Sequence, residues 1–531
     1  MRRFAQTIGE TGVAMNRFRH VGLTLCLAAA LSAGVVTPSA AAPTAYGAAA
    51  LAGLDMERVT IPQLQTAMNG GRLSSTRLTQ YYLDRINRIE PLVNAVLALN
   101  GGALSQAADS DRVRRTSGPR SLLEGIPVLL KDNIDTADQG ATAGSEALLG
   151  ARPDDAELVQ RLRAAGAVII GKANLSEWAN FRSFLSTSGW SAVGGQTNNP
   201  YVLDRNPCGS SSGSGAGVAS SLAVVASGTE TDGSIVCPAG ANGVVGHKPT
   251  LGFVSGDGVV PISSEQDTAG PMARNVTDAA IVLDVIDGRG EDYTDALDPD
   301  ALDGARIGVW SVAIWDCCPE VGALVEQAKQ RLRELGASPV EVDLPYQDQI
   351  NNNEFPALLV EFAHDIDAYL ANTPGAHPDG LAGLIDFNIR RADTELVYFD
   401  QEIFVLAEQT GGDLTDPRYQ RARTVATAAA QRSIDETLAR YDLDAIVAAT
   451  NSPAWETTLG EGDAFEFGSS GPAAVAGYPN VSVPLGYVGP LPVGLSVFAS
   501  AGQDATVLGL AFAWEQATHV RRPPTYRATL G

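Results

Sequence analysis

Between Cys208 and Pro238 the chain reads CGSSSGSGAGVASSLAVVASGTETDGSIVCP, its most biased stretch. Serines crowd a Gly/Ser run from Gly209 to Gly217, and one more ends a polar turn from Gly228 to Ser234. A serine hydroxyl becomes a nucleophile once a base takes its proton, and glycine-rich backbone offers N–H groups to the oxyanion that results. A flexible linker would share this composition, but Val218, Leu222, Val224 and Val225 follow at once and require burial. No GxxxxGK[ST] occurs and no GxGxxG lies between a strand and a helix, so a phosphate-cradling loop is excluded. Ser234 sits in DGSIV, outside any GxSxG elbow. The stretch therefore predicts two serine-bearing turns at the ends of one short buried element, with a serine nucleophile among them.

Such a serine needs a base. The chain has 33 Arg but only four Lys, at 131, 172, 248 and 329, and three of the four fall around the serine-rich segment. Arginine cannot give up its proton in a protein, whereas a buried lysine can. Lys131 ends the apolar run Val128–Leu130 in GIPVLLKDNID and is the candidate base. Lys172 and Lys248 are read as structural partners of carboxylates or backbone carbonyls. His247, 13 residues after Ser234, is the rival base.

The elements that must position these residues follow from patterning. Residues 56–100 show helical spacing, broken at Asn69–Gly71, and predict a helical hairpin. Val128–Leu130 and Ala167–Gly171 read as strands buried on both faces, with a helix from Asp154 to Ala165 between them. Strand, helix, strand at this spacing predicts an α/β unit with a largely parallel sheet. The segment from about 275 to 440 is less marked. It holds an acidic loop at 287–303, a strand at 305–310, a helix at 321–335, and aromatic residues read mainly as core. Asp444–Thr450, Val481–Gly486 and Val493–Phe498 add three strands. With no repeat and no linker, the fold class is α/β: a single α/β/α domain around a mixed central sheet.

The 531 residues carry a net charge of −24, with 45% hydrophobic and 18% charged residues, as in a soluble globular protein. That charge disfavours nucleic acid and anionic membrane surfaces as partners. Arg17 and Arg19 precede an apolar run from Val21 to Val36, and Ser39–Ala42 offers small residues for signal-peptidase cleavage. Residues 1–42 are thus read as a signal peptide cleaved near Ala42, with Met15 as an alternative start. Its four Arg and one Glu removed, the charge becomes −27 (−24 − 3). The five cysteines, Cys26, Cys208, Cys237, Cys317 and Cys318, show neither CxxC nor zinc spacing. Neither a disulfide framework nor a metal is expected.

LLKDNID, CGSSSGSG and GTETDGSIVCPA together resemble the amidase signature family of Ser-Ser-Lys amide hydrolases. GKANLSEWANF, GGQTNNPY, GVVGHKPT, QDTAGPMAR, AGYPNVSVPLG and LPVGL extend the likeness over about residues 55–525. Within the family, SEWANFR, SGWSA, GSIVCPA and RRPP resemble secreted bacterial peptide amidases. The resemblance implies Ser234 as nucleophile, Ser210 as bridging serine 24 positions earlier, and Lys131 as base. It also implies a cis bond at Gly209–Ser210 and an oxyanion hole of the backbone N–H groups of Thr231, Asp232, Gly233 and Ser234. Ser211 and Ser212 would support, and the Asp232 side chain would orient the turn. Val236 stands where many members have Arg, as in peptide amidases, and His247 where Leu is frequent.

The implied reaction releases ammonia from the C-terminal amide of a peptide through an acyl-enzyme. It needs no cofactor, no obligatory protein partner and, in the mature form, no membrane. The loops Phe181–Trp190 and Asn451–Ser470 would choose the substrate, with Arg182 and Trp190 as contacts. Small aliphatic or aryl amides are alternative substrates, and a catalytically silent binding protein on the same fold is the alternative of another class.

Overall fold

Apolar runs of four to six residues, with no polar face to show to water, become central strands. A computed structural model describes residues 49–311 and 317–530; the expected signal segment lies outside them. Eleven strands form one sheet: β1 (Val96–Leu99), β2 (Pro127–Lys131), β3 (Val168–Ala173), β4 (Val225–Glu230), β5 (Val245–Lys248), β6 (Thr268–Ala273), β7 (Arg306–Trp310), β8 (Ser338–Val342), β9 (Ala445–Ala449), β10 (Asn480–Val488) and β11 (Leu491–Phe498). Their order across the sheet is β1-β3-β2-β4-β6-β5-β10-β11-β9-β7-β8. The sheet is mixed, as expected, but not largely parallel, because hairpin returns join β5 to β6 and β10 to β11. Parallel pairing is confined to β3-β2-β4 and to β9-β7-β8, and the other six of the ten ladders are antiparallel.

The hairpin forms as helices Ile61–Asn69 and Ser75–Val93, the first opened by a reciprocal Thr60–Gln63 capping box and the second capped by Ser74. Beyond them Val96–Leu99, expected as helix, adds an edge strand to Val168–Ala173. Four residues with only Val96 buried carry too little periodicity to tell the two states apart. No helix of the described residues is long and apolar enough to cross a membrane.

The serine-rich stretch is not one element but two. Helix Ser212–Ala219 starts inside the Gly/Ser run, and β4 follows after a turn. Every residue of that helix is buried. At Gly213 a Cβ would stand 2.3 Å from the Ala95 carbonyl oxygen and 2.5 Å from that of Asn174. The missing side chain lets the helix lie directly on the backbone around β1 and β3, and so fixes where Ser210 enters the sheet edge. Gly213→Ala should therefore destabilise the fold by about 1–3 kcal/mol or more. Denaturant unfolding would measure it, and an unchanged midpoint would refute this close docking.

Candidate active site

Parallel neighbours end on the same side of a sheet, and here that rule brings two chemical groups together. Lys131 is the last residue of β2, and Thr229 lies near the end of β4, which pairs beside it with Leu130 opposite Ser227. Lys131 Nζ reaches Thr229 Oγ1 at 2.8 Å and the Thr229 carbonyl at 3.2 Å, and it lies 2.7 Å from Ser210 Oγ. Asn133 Nδ2 donates to the same Thr229 hydroxyl at 2.9 Å. The amine is wholly buried, and burial lowers its pKa to about 7, against the opposing pull of Asp267 and Glu230.

Ser210 follows a cis peptide bond after Gly209. Its carbonyl accepts from the Ser176 N–H at 3.1 Å, and the next residue's N–H donates to the Ser234 carbonyl at 3.1 Å. The two serine-bearing segments are thus joined through their backbones. Ser211 Oγ exchanges hydrogen bonds with the N–H and carbonyl of Thr229, and Ser212 Oγ donates to the Cys208 carbonyl at 2.7 Å. Ser234 is 9% exposed, and its hydroxyl makes no hydrogen bond among the described residues. Neither do the N–H groups of Thr231, Asp232, Gly233 and Ser234, four consecutive donors in a turn that Gly233 closes at φ +82°. Such a row of unspent donors is an anion nest.

The turn is held from behind by groups that the sequence reading passed over. Glu230 Oε2 accepts from the N–H groups of Ile235 at 2.7 Å and Val236 at 2.9 Å. Asp267 accepts from Thr231 Oγ1 and from the N–H groups of Ile262 and Ser263, while Gln266 donates to the Thr231 carbonyl. The Asp232 carboxylate, expected to orient the turn, hydrogen-bonds to Ser470, and Glu230 and Asp267 add support from behind. The available signal was Glu230 itself, an acid inside a strand whose six residues are all buried.

Arg182 and Trp190 are turned inward, which corrects their expected role as substrate contacts. Arg182 is fully buried, 2.8 Å from the Glu177 carboxylate, with its guanidinium 4.3 Å over the Phe399 ring. Trp190 packs edge-on against Phe399 and Tyr398. The same loop instead exposes Phe184 (53%) and Leu185 (47%). It is tied to the later loop by Asp463, which accepts from the Ser188 N–H at 3.0 Å and hydroxyl at 2.6 Å.

The other candidate bases are engaged elsewhere. His247 is buried with Nε2 3.1 Å from Asp504 Oδ1, a carboxylate that also accepts from Thr250. Lys172 binds the Ile134 and Gly140 carbonyls and stands 3.4 Å from Asp132; Lys248 donates to the Pro249 carbonyl.

The expectation of no disulfide is overturned. Cys208 and Cys237 are bonded, with Cα atoms 6.0 Å apart and a sequence separation of 29. A cysteine two residues before Ser210 is thereby tied to one three residues after Ser234. Closing a loop of this length constrains the unfolded chain by about 3–4 kcal/mol. Cys208→Ala/Cys237→Ala should lower unfolding stability by that order and abolish the shift that reductant causes in the parent. Equal stability of the two proteins would show that the bond is not formed in solution.

Comparison with known proteins places these features in a lineage. The sequence model of the Amidase family matches residues 77–508. A crystal structure of native peptide amidase from Stenotrophomonas maltophilia is 48% identical, covering 88% of this chain and 99% of its own, with TM-score 0.85. A structure of the peptide amidase PAM with the competitive inhibitor chymostatin is 49% identical over the same shares, with TM-score 0.86. An Arabidopsis thaliana protein described as a probable amidase is 38% identical over 499 residues, 89% of this chain and 92% of that protein. A family model matching most of the chain, together with relatives covered almost end to end, shows that this chain belongs to the amidase signature family, hydrolases of amide C–N bonds.

Proposed function

We propose that this chain is an exported amidase that hydrolyses C-terminal peptide amides through Lys131, Ser210 and Ser234. The observation that carries the mechanism is the 2.7 Å approach of a buried, weakly basic Lys131 amine to Ser210 Oγ. In the neutral amine two N–H groups serve Thr229, which leaves the lone pair facing Ser210. Lys131 takes the Ser210 proton as Ser210 takes that of Ser234, and Ser234 Oγ attacks the carbonyl carbon. The unspent donors of residues 231–234 receive the oxyanion, a type of contact worth about 2.7–4 kcal/mol per donor. The proton returns through Ser210 to the leaving nitrogen, ammonia departs, and water cleaves the ester on Ser234 by the same relay in reverse.

Peptide amides are favoured by the likeness to peptide amidases and by the exposed apolar pair Phe184 and Leu185, which suits side chains flanking a terminal amide. Export is supported by the Cys208–Cys237 disulfide, a bond that persists in oxidising compartments.

Lys131→Ala should reduce kcat/KM by several orders of magnitude. Lys131→Arg should be nearly as damaging, since it keeps charge and loses basicity. Because only the neutral amine accepts a proton, kcat/KM should fall as pH drops through about 7, the pKa that burial gives Lys131. A fluorophosphonate should label Ser234, as read by peptide mass mapping; an unlabelled Ser234 in active protein would end the assignment.

The substrate is tested separately by ammonia release from a peptide amide, the same peptide as free acid, and benzamide. Turnover of the peptide amide alone is expected. Turnover of benzamide without the peptide amide would refute the substrate while leaving the serine mechanism standing.

A further inference from the structure

Away from the serines, two chain segments bring three metal-ligating side chains to one point. Cys317 and Cys318 stand at the start of helix Pro319–Glu334, with Cys318 as its N-cap. Glu466 comes from the 451–470 loop, 148 residues further on, and its Oε2 lies 2.8 Å from Cys318 Sγ. The two sulfurs and a Glu466 oxygen all fall within 4.8 Å of one another. Cys318 is buried while Cys317 and Glu466 are exposed, so an ion can enter from solvent.

We propose that Cys317, Cys318 and Glu466 form a zinc site. Two thiolates and one carboxylate are a donor set suited to a borderline-soft divalent ion, and three protein ligands leave a fourth tetrahedral position for water. With Zn–S near ~2.3 Å and Zn–O near ~2.1 Å, tetrahedral ligand atoms stand about 3.5–3.8 Å apart. The 2.8 Å between Cys318 Sγ and Glu466 Oε2 is tighter than that, and an exposed glutamate can swing back by about 1 Å at little cost. The plain alternative is a Cys318 thiol that simply donates to Glu466. That contact engages one sulfur, whereas both sulfurs and the carboxylate oxygen converge on one point.

The site would fasten a specific piece of the enzyme. The Glu466 N–H donates to Ser452 Oγ at 3.4 Å, and the neighbouring Phe465 packs edge-on against Trp455, with ring centroids 5.7 Å apart. Trp455 in turn lies against the Cys208–Cys237 disulfide. Zinc at this point would pin the 451–470 loop, which also carries Asp463, to the helix start at Pro319.

The test uses the full-length secreted chain, purified without a metal-affinity tag, stripped with chelator and titrated with Zn²⁺ alone against a chromogenic competitor. One zinc per chain is expected. Cys317→Ser/Cys318→Ser should lose the ion, and Glu466→Gln should weaken it by about 10–100-fold. Co²⁺ bound to the unsubstituted protein should show a thiolate charge-transfer band and four-coordinate d–d absorption, a readout independent of how the variants fold. Absence of stoichiometric zinc, zinc retained by the double variant, or a cobalt spectrum without the thiolate band would each overturn the proposal. So would peptide mapping that finds Cys317 and Cys318 oxidised to each other in the purified protein.

Discussion

An amine buried without a counter-ion in direct contact is the constraint from which the rest of this structure follows. Water is withdrawn from Lys131, the nearest carboxylates, Asp267 and Glu230, oppose the effect only at a distance, and burial prevails. Such a group must be given neutral partners, because an ion pair would restore its charge. Thr229 supplies two oxygens and Ser210 a third. Lys172 shows the contrast. It is equally buried, yet Asp132 stands 3.4 Å away and the Ile134 and Gly140 carbonyls accept from it, so it braces the loop after β2. One residue type does two jobs, and the difference lies in what faces the nitrogen.

Neutral surroundings demand a rigid frame, since no strong charge pair holds the base in place. Parallel neighbours β2 and β4 set Lys131 against Thr229. Helix Ser212–Ala219, lying on backbone because Gly213 has no side chain, sets Ser210. The nucleophile turn is stretched between β4 and helix Val236–Ala241, and the Glu230 carboxylate ties its two ends by capping Ile235 and Val236. That cap satisfies the N–H groups just past Ser234 and leaves those of residues 231–234 unspent. Anchoring and free donors therefore come from the same turn: the N–H groups left over are those that the internal hydrogen bonds do not use.

Patterning located most of the elements that carry this frame. Val128–Leu130, Ala167–Gly171 and Asp444–Thr450 were legible as strands because continuous apolar runs have few other uses, and the scarcity of lysine marked Lys131. The direction of each strand was less legible. A strand buried on both faces reads alike whether its neighbour runs with it or against it, so the antiparallel centre around β6, β5, β10 and β11 had no local signature. Pairwise facts between distant residues were hidden for a related reason. Nothing in the spacing of Cys208 and Cys237 says that a helix and a strand fold back to bring their Cα atoms within 6.0 Å. Arg182 looked like a ligand because it is a charged residue in a loop, and its partner Glu177 becomes visible as such only when both are seen fully buried.

The same geometry explains why a lysine, and not a histidine, suits this site. Lys131 enters from the end of a central strand, so its base must reach past the strand edge to a serine on another segment, and a long flexible stem does that. His247, on β5, presents a short ring already held by Asp504, a carboxylate that also fixes the Thr250 turn. An imidazole so placed is a cross-brace between β5 and helix Asp504–Thr518. A serine hydroxyl within its reach is the counterpart of the long stem. Ser210 Oγ stands 2.7 Å from the Lys131 amine, which stays dry in the core, while Ser234 keeps 9% of its surface exposed.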